Sequence, residues 1–474
     1  MSESSTSESM CRVVAATVGE RMTEHASGHA SLAALGVYLQ QLDLLRPIRE
    51  QVKIAQKTVR YSPWEKVEDA LIGLLAGLHG VVEINTVLRT DEALQAAFGR
   101  TGCAEQSVIQ DTLDACSADN VTQMQQALDE IFRQHSQAYG HAYDKQWQIL
   151  DADLTGMPCG PKAELATRGY LGRNARRRQG RQLGRVAASL YNEVVVDQLY
   201  PGTAQLATAL PALVEASQRT LGLDEAQRQR TIIRVDAGGG TSGDVNMVLG
   251  RGYQFHGKDF QHMHVKALVA EVSHWDDDPK VAGRQVAYIT REPTEYVRPV
   301  TRIAVRRLQK NKQWRADVLI STLSPRDVLA LTHQPLSQAD DPLAVAAAYI
   351  AFYDQRGGGV ETTIKDDKQG LGLTTRQKKR FPAQQMLACL GTLAHNLWVW
   401  AKRWLAPLVP QVRSFGLKRL VRDVGGILGR VQLDAHHHVR RIVLNRTYRL
   451  AQPLVTAFRS LLDSDQVVII SGET

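Results

Sequence analysis

Apolar and polar positions follow three rhythms along the chain. From about residue 28 to residue 136, apolar side chains recur at helical spacing. The pattern predicts helices over His29–Leu42, Trp64–Leu78 and Val121–Arg133. In the last of these, Val121, Met124, Leu128, Ile131 and Phe132 form one stripe, with Asn120 as N-cap. Short connectors such as Ser62-Pro63 and Arg100-Thr101-Gly102 separate the helices. From about Trp147 the rhythm changes. Ile149–Leu154, Arg185–Leu190 and Val194–Leu199 read as strands, the last two joined by a turn at Asn192-Glu193. Thr203–Leu221 returns to helical spacing, and Thr231–Ala237 is a β-branched fourth strand.

Three antiparallel strands, a helix and a further strand is the order of the ribonuclease H fold. A β-rich stretch follows, about Asp276 to Ser324, with strands expected at Gln285–Thr290, Thr301–Leu308 and Trp314–Leu323. The Lys310-Asn311-Lys312 break gives the last two a hairpin form. A helical region runs from about Leu343 to Pro407. The expected fold is therefore mixed α/β: a ribonuclease H-like mixed sheet flanked by helices, with a β-rich insertion and an all-helical N-terminal domain. The expected division is a disordered tail at 1–27, a helical domain at 28–140, a core at 145–260 and 340–405, an insertion at 261–339, and a basic helical region at 406–474.

Composition narrows this picture. An apolar fraction of 43% excludes global disorder. Lys and Arg number 57 against 49 Asp and Glu, a net charge of +8 that suits a polyanionic partner. The longest apolar run, Leu343 to Tyr353, is about half of the ~20 residues that a spanning helix needs. The polar start, MSESSTSESM, has the character of a tail and not of a signal peptide. Five scattered cysteines, without CxxC spacing, argue against a disulfide framework or a cysteine zinc site and point to a reducing cytoplasm.

The carboxylates carry the sharpest chemistry. Asp151 and Asp153 lie two apart on a strand and project from one face, with Leu150, Ala152 and Leu154 on the other. Asp236 ends the fourth strand. Acidic residues are depleted in strands, so two acidic strands call for an explanation. One is a strand end facing water. The other is a site for hard divalent cations, which take oxygen ligands and can serve phosphoryl transfer. Beyond a run of three glycines, Glu361 and Lys368 are seven apart on one helix face. Lys365, at i+4, could pair with Glu361 instead.

Tyr353, Arg356, Glu361 and Lys368 resemble the Tyr-x2-Arg-x3-Glu-x6-Lys signature of bacterial insertion-sequence transposases of the DDE class. Four residues, not three, separate Arg356 from Glu361 here. Asp153-Leu154-Thr155, within LDADLTGMP, is similar to the family's first-aspartate motif, and RVDAGGG around Asp236 to its second. The stretches DDKQGLGL, LAHNLWVW and SPWEKVEDALIGLLAG extend the resemblance over roughly Gly28 to Leu405. It implies Asp153, Asp236 and Glu361 as ligands of Mg²⁺, with Mn²⁺ substituting. The Asp-x-Thr match favours Asp153 over Asp151, which becomes a helper. It also implies Lys368, Tyr353 and Arg356 as phosphate contacts, cutting at element ends, and joining of the freed 3′-hydroxyl to target DNA.

The basic runs fit a DNA partner. Arg173, Arg176, Arg177, Arg178 and Arg181 belong to a set of seven arginines between Arg168 and Arg185. Arg376, Lys378, Lys379 and Arg380 follow the Glu361 helix, and Arg440, Arg441, Arg446 and Arg449 form a third cluster. Single runs of this kind are usually solvated loops. Two of these lie close in sequence to the proposed ligands, which favours phosphate contacts. Trp398, Trp400 and Trp404 read as packing residues.

A competing signal is Gly238, Gly240 and Gly243, a G-x-G-x-x-G match with Asp259 about 20 residues on, as a dinucleotide enzyme would want. Asp236 before it would repel a pyrophosphate, and the upstream strands read as a hairpin, not as parallel units. His436-His437-His438 reads as a surface segment, since three adjacent rings do not converge on one ion. The expectation is a cytoplasmic DNA transposase without a membrane partner. It would bind double-stranded DNA, both element terminal inverted repeats and target, with a helical domain that reads DNA ends, and would self-associate on it. A decayed, non-catalytic DNA-binding relative is the alternative.

Overall fold

A computed structural model describes residues 22–171, 177–260, 262–375 and 377–473. After a short strand β1 (Thr23–Ser27), six helices follow: α1 (Ala30–Gln41), α2 (Arg46–Gln51), α3 (Pro63–Leu75), α4 (Glu92–Ala97), α5 (Gln106–Ala115) and α6 (Ala118–His135). Side-chain caps fix the starts of α3, α4 and α6. Ser62 opens α3 in a capping box with Glu65. Ser117, not Asn120, is the N-cap of α6, and Asn120 is its reciprocal partner three residues on. Two capping residues within one turn are ambiguous in sequence, and backbone geometry selects the first.

Among the described residues the central sheet holds ten strands. β2 (Gln148–Pro158), β3 (Thr167–Tyr170), β4 (Arg177–Ala188) and β5 (Glu193–Pro201) precede helices α7 (Leu206–Leu221) and α8 (Glu225–Gln229). Then come β6 (Thr231–Val235), α9 (Ser242–Gly250), β7 (Gln254–Lys258) and α10 (His262–Ala270). β4 is antiparallel to both β2 and β5, whereas β6 is parallel to β2 and to β7. The spatial order β5-β4-β2-β6-β7 with these directions is the ribonuclease H topology. β7, its fifth strand, is short and carries a weak sequence signal.

The insertion extends this sheet. β8 (Asp276–Asp277), β9 (Arg284–Tyr288), β10 (Thr301–Leu308) and β11 (Trp314–Ser321) continue it antiparallel, with β11 against β7. The chain then returns through α11 (Pro325–Leu331), α12 (Pro342–Asp354), α13 (Val360–Gly370) and α14 (Phe381–Leu405). Leu150 and Ala152 pack with Leu206, Leu210 and Leu213 of α7 on one face of the sheet. Ile149 packs with Val345 and Tyr349 of α12 on the other. Trp398 and Trp400 are buried in the core as expected.

The region 406–474 departs from the helical expectation. After α15 (Leu417–Arg419) come β12 (Gly429–Leu433), β13 (Val439–Asn445), α16 (Ala451–Leu461) and β14 (Val468–Gly472). β1 pairs with β12, so Thr23–Ser27 is part of a four-stranded sheet, not of a tail. Arginines interrupt the β-branched pattern in these strands, which hides their period in sequence. His436–His438 forms the exposed turn between β12 and β13, with buried Asp434 accepting the backbone N–H groups of His436 and His438.

Helix α14 closes the open edge of β5 with side-chain amides. Asn396 Oδ1 accepts the Val194 N–H (2.9 Å) and its Nδ2 donates to the Val194 carbonyl (2.8 Å). Gln385 Oε1 accepts the Leu199 N–H (2.7 Å) and its Nε2 donates to the Asp197 carbonyl (3.0 Å). The spacing matches. Residues 385 and 396 are about 16 Å apart along a helix, and 194 and 199 are about 16 Å apart along a strand. Among the described residues no helix is long and apolar enough to cross a membrane.

Candidate active site

Strand alternation puts Asp151, Asp153 and Thr155 on the face of β2 that meets α13. The two aspartates have different surroundings. Asp151 is fully buried and receives two hydrogen bonds from Arg234, at 2.5 and 2.8 Å, and one from the Ser189 hydroxyl. Arg234 also donates to the Phe352 carbonyl (2.6 Å). Asp151 is thus spent on tying β2 to β6 and to the end of α12.

Asp153 faces Arg356, whose Nη2 lies 3.3 Å from its Oδ2. Burial raises the Asp153 carboxyl to about 6; Arg356 opposes the rise, and the negative charges of Asp236 and Glu361 add to it. Asp236 stands just beyond β6, where its Oδ1 accepts the Gly238 N–H (2.8 Å). Glu361, in the first turn of α13, has a side chain 57% exposed, and its Oε1 lies 3.4 Å from Arg356 Nη1. Its ion pair is with Arg356, not Lys365.

Arg356 is buried, donates also to the Ala152 carbonyl (3.0 Å), and leaves its Nε without a partner. Burial disfavours its charge, but Asp153, Asp236 and Asp151 outweigh this and hold it protonated. The turn carrying it presses on β2 at Gly359. A Cβ there would collide with the Asp151 carboxylate and stand 2.7 Å from Ser189 Oγ. Lys368 Nζ donates to Thr155 Oγ1 (2.5 Å). Burial lowers the lysine's pKa, and Asp153 partly restores it. Tyr353 is largely buried, which pushes its phenol well above the ordinary range, and Lys258 Nζ lies 5.0 Å from its ring centre.

Asp153, Asp236, Glu361, Arg356, Tyr353 and Lys368 therefore sit in one neighbourhood built from β2, the end of β6, and α12–α13. An all-carboxylate donor set suits a hard divalent cation. As the side chains stand, Arg356 supplies the positive charge between Asp153 and Glu361. Among the described residues no three His, Cys, Asp or Glu side chains are grouped to hold an ion.

The basic candidates divide. Arg173, Arg176 and Arg376 lie outside the described residues. Arg177, Arg178, Lys379 and Arg380 are exposed. Arg181 is 1% exposed and donates to the carbonyls of Glu164, Lys378 and Lys379, and Lys378 is 3% exposed. Arg181 thus staples the 377–380 segment to β4, and the Lys378 amine donates to Gln110 of α5, so both are internal and not the surface contacts expected. Arg185 is likewise fully buried. Clustering in sequence did not distinguish them, because β4 is exposed only at its start and is buried from Gly180 onward, where β2 and β5 flank it.

The upstream strands β4 and β5 are antiparallel, as expected, but the glycine loop itself sits inside a parallel β6-α9-β7 unit. Its chemistry still disfavours a dinucleotide. The Asp236 carboxylate takes the Gly238 N–H that a pyrophosphate would need. A Cβ at Gly240 would overlap the Lys258 carbonyl, so that glycine serves close contact with β7.

Beneath α13, sequence reasoning missed a buried group of Arg185, Asp197, Asp367 and His395, joined by ion pairs and hydrogen bonds. Its trace in the sequence is an arginine inside a strand pattern, Arg185, whose side of the strand demands a buried counter-charge.

No protein-family model matches the chain, and no curated protein matches it. Among solved structures, the chain is similar to the piggyBac transposase in a cryo-EM structure of its synaptic complex with hairpin DNA. The TM-score is 0.39 and the identity 11%, over 91% of this chain and 81% of that one.

Proposed function

We propose that this chain is a DNA transposase of the DDE class, as found in bacterial insertion sequences. The observation that carries the reading is one buried guanidinium, Arg356, which pairs with Asp153 of β2 and Glu361 of α13 and also feels the charge of Asp236 just beyond β6. Asp153, Asp236 and Glu361 would hold Mg²⁺ or Mn²⁺, which would supply an activated water or 3′-hydroxyl and neutralise charge on the phosphate. Phosphoryl transfer needs positioning and charge more than covalent help. Arg356 and Lys368 bring cationic donors to non-bridging phosphate oxygens. Lys368 is kept in place by Thr155, and the buried Tyr353 phenol stays protonated as a donor. Exposed Arg177, Arg178, Lys379 and Arg380 offer contacts to the DNA backbone of element ends and target. The six N-terminal helices are the proposed end-reading domain, and self-association on DNA belongs to the same reading.

A catalytically silent DNA-binding relative is the second reading, favoured by the ion pairs of Arg356 to both Asp153 and Glu361. The DNA flanking the gene, carried on a plasmid, separates the two. Incubated with Mg²⁺ or Mn²⁺, wild-type protein should cut at the flank ends, and Glu361→Gln or chelator should abolish cutting. Specific binding without cutting by either protein would establish the second reading.

A further inference from the structure

The inner side of α13 is charged. Asp367 is fully buried, with Oδ2 2.6 Å from Arg185 Nη1 and Oδ1 2.7 Å from His395 Nδ1. Arg185 in turn donates twice to Asp197, at 2.8 and 2.6 Å. On its far side, His395 Nε2 lies 2.9 Å from the Asn192 carbonyl oxygen.

Both partners of the His395 ring are acceptors. A neutral imidazole has one N–H and would leave one of these contacts between two lone pairs; the imidazolium donates to both. The charges then balance, with Arg185 and His395 against Asp197 and Asp367. Other charged groups face the ring across a cavity of about 330 Å³: Asp366 of α13, Lys402 and Arg403 of α14, and Arg413, together with the Tyr191 phenol. Most are engaged elsewhere: Asp366 accepts the Leu417 N–H, Lys402 donates to the Phe415 carbonyl, Arg403 donates to the His135 carbonyl, and the Tyr191 hydroxyl bonds His141.

Asp367 lies roughly 100–120° around α13 from the stripe of Glu361 and Lys368, at ~100° per residue. A grip on Asp367 therefore sets the rotation of the helix. We propose that His395, held as an imidazolium between Asp367 and Asn192, is a positioning residue that turns Glu361 toward Asp153 and Lys368 toward Thr155. The consequence for DNA cutting rests on the transposase reading; the grip itself does not. Burial lowers the affinity of His395 for its proton, and the Asp367 carboxylate more than offsets this, leaving it raised. The grip is thus complete below the free imidazole value and is lost as pH rises through the raised one.

The test uses full-length protein with isotope-labelled histidine rings. Just above the free value of ~6.5, the resonance that disappears in His395→Gln should be an imidazolium in the wild type and neutral in Asp367→Asn. Amide exchange over 360–370 should quicken by about tenfold or more in either variant near pH 7, with α7 unchanged. In the wild type that protection should fall at alkaline pH; in His395→Gln it should not depend on pH. DNA cutting by His395→Gln should lose kcat by about tenfold with KM for DNA unchanged. A neutral His395 in the wild type, or unchanged α13 exchange in both variants, would overturn the proposal. Wild-type protein that cuts no DNA would overturn the transposase reading, while the ring resonance and exchange would still decide the grip.

Discussion

Arg356 Nη2 lies 3.3 Å from Asp153 Oδ2, and its other terminal nitrogen lies 3.4 Å from Glu361. The guanidinium holds together two carboxylates that would otherwise repel. Arg356→Gln should therefore lower stability without divalent ions by about 3 kcal/mol, as for breaking a buried pair. Mn²⁺ should restore part of that loss, measured by thermal unfolding with and without the ion. A variant indifferent to Mn²⁺ would argue against a cation site there.

Asp151 and Asp153 should separate by readout. Asp151→Asn leaves Arg234 buried without its carboxylate and should cost about 3–5 kcal/mol in denaturant unfolding. Asp153→Asn should cost less, because Arg356 keeps Glu361 and the Ala152 carbonyl, yet should abolish cutting. The opposite pattern would reassign the ligand to Asp151.

The raised Asp153 carboxyl makes a pH prediction. The unfolded group ionises near 3.8, the folded one at about 6. Between these values folding retains a proton, so apo stability should fall as pH rises from about 4 to 6. Divalent binding requires the carboxylate and should strengthen through about pH 6 and then level off. Titration of Mn²⁺ affinity against pH, with Asp153→Asn as control, measures this, and a flat profile in wild type would sink it.

The amide clasp of α14 on β5 predicts additive losses. Gln385→Ala and Asn396→Ala each strand buried backbone groups and should cost about 1–3 kcal/mol. The sites are about 16 Å apart along the helix, so the double variant should lose the sum, read as denaturant midpoints. A strongly sub-additive double variant would mean that the two amides do not act independently.

Glu361 and Lys368 should affect chemistry more than folding. The Glu361 side chain is 57% exposed, so Glu361→Gln should shift stability by no more than about 0.5 kcal/mol. Lys368→Ala should lower cutting by about 10²-fold or more, since it removes a charged phosphate donor. Unaltered cutting by Lys368→Ala would remove that residue from the site.

Alternation and periodicity along the sequence determine much of this protein's local structure. β2, β5, β6, β10 and β11 and helices α1, α3, α6 and α7 were legible because each repeats one local period over several residues. The same period placed Asp151 and Asp153 on one face and Glu361 and Lys368 on another. It could not say which aspartate is spent, because Arg234 comes from a strand 83 residues further along the chain. It could not distinguish Arg181 and Arg185, buried in β4, from their exposed neighbours Arg177 and Arg178, since charge carries no direction until the strand is paired. The C-terminal sheet was hidden for a related reason: β1 is five residues long and pairs only with a strand some 400 residues away. Local sequence sets the conformation of each segment. Which buried charge meets which counter-charge, and so which carboxylate remains available for chemistry, is decided only when distant segments close on one another.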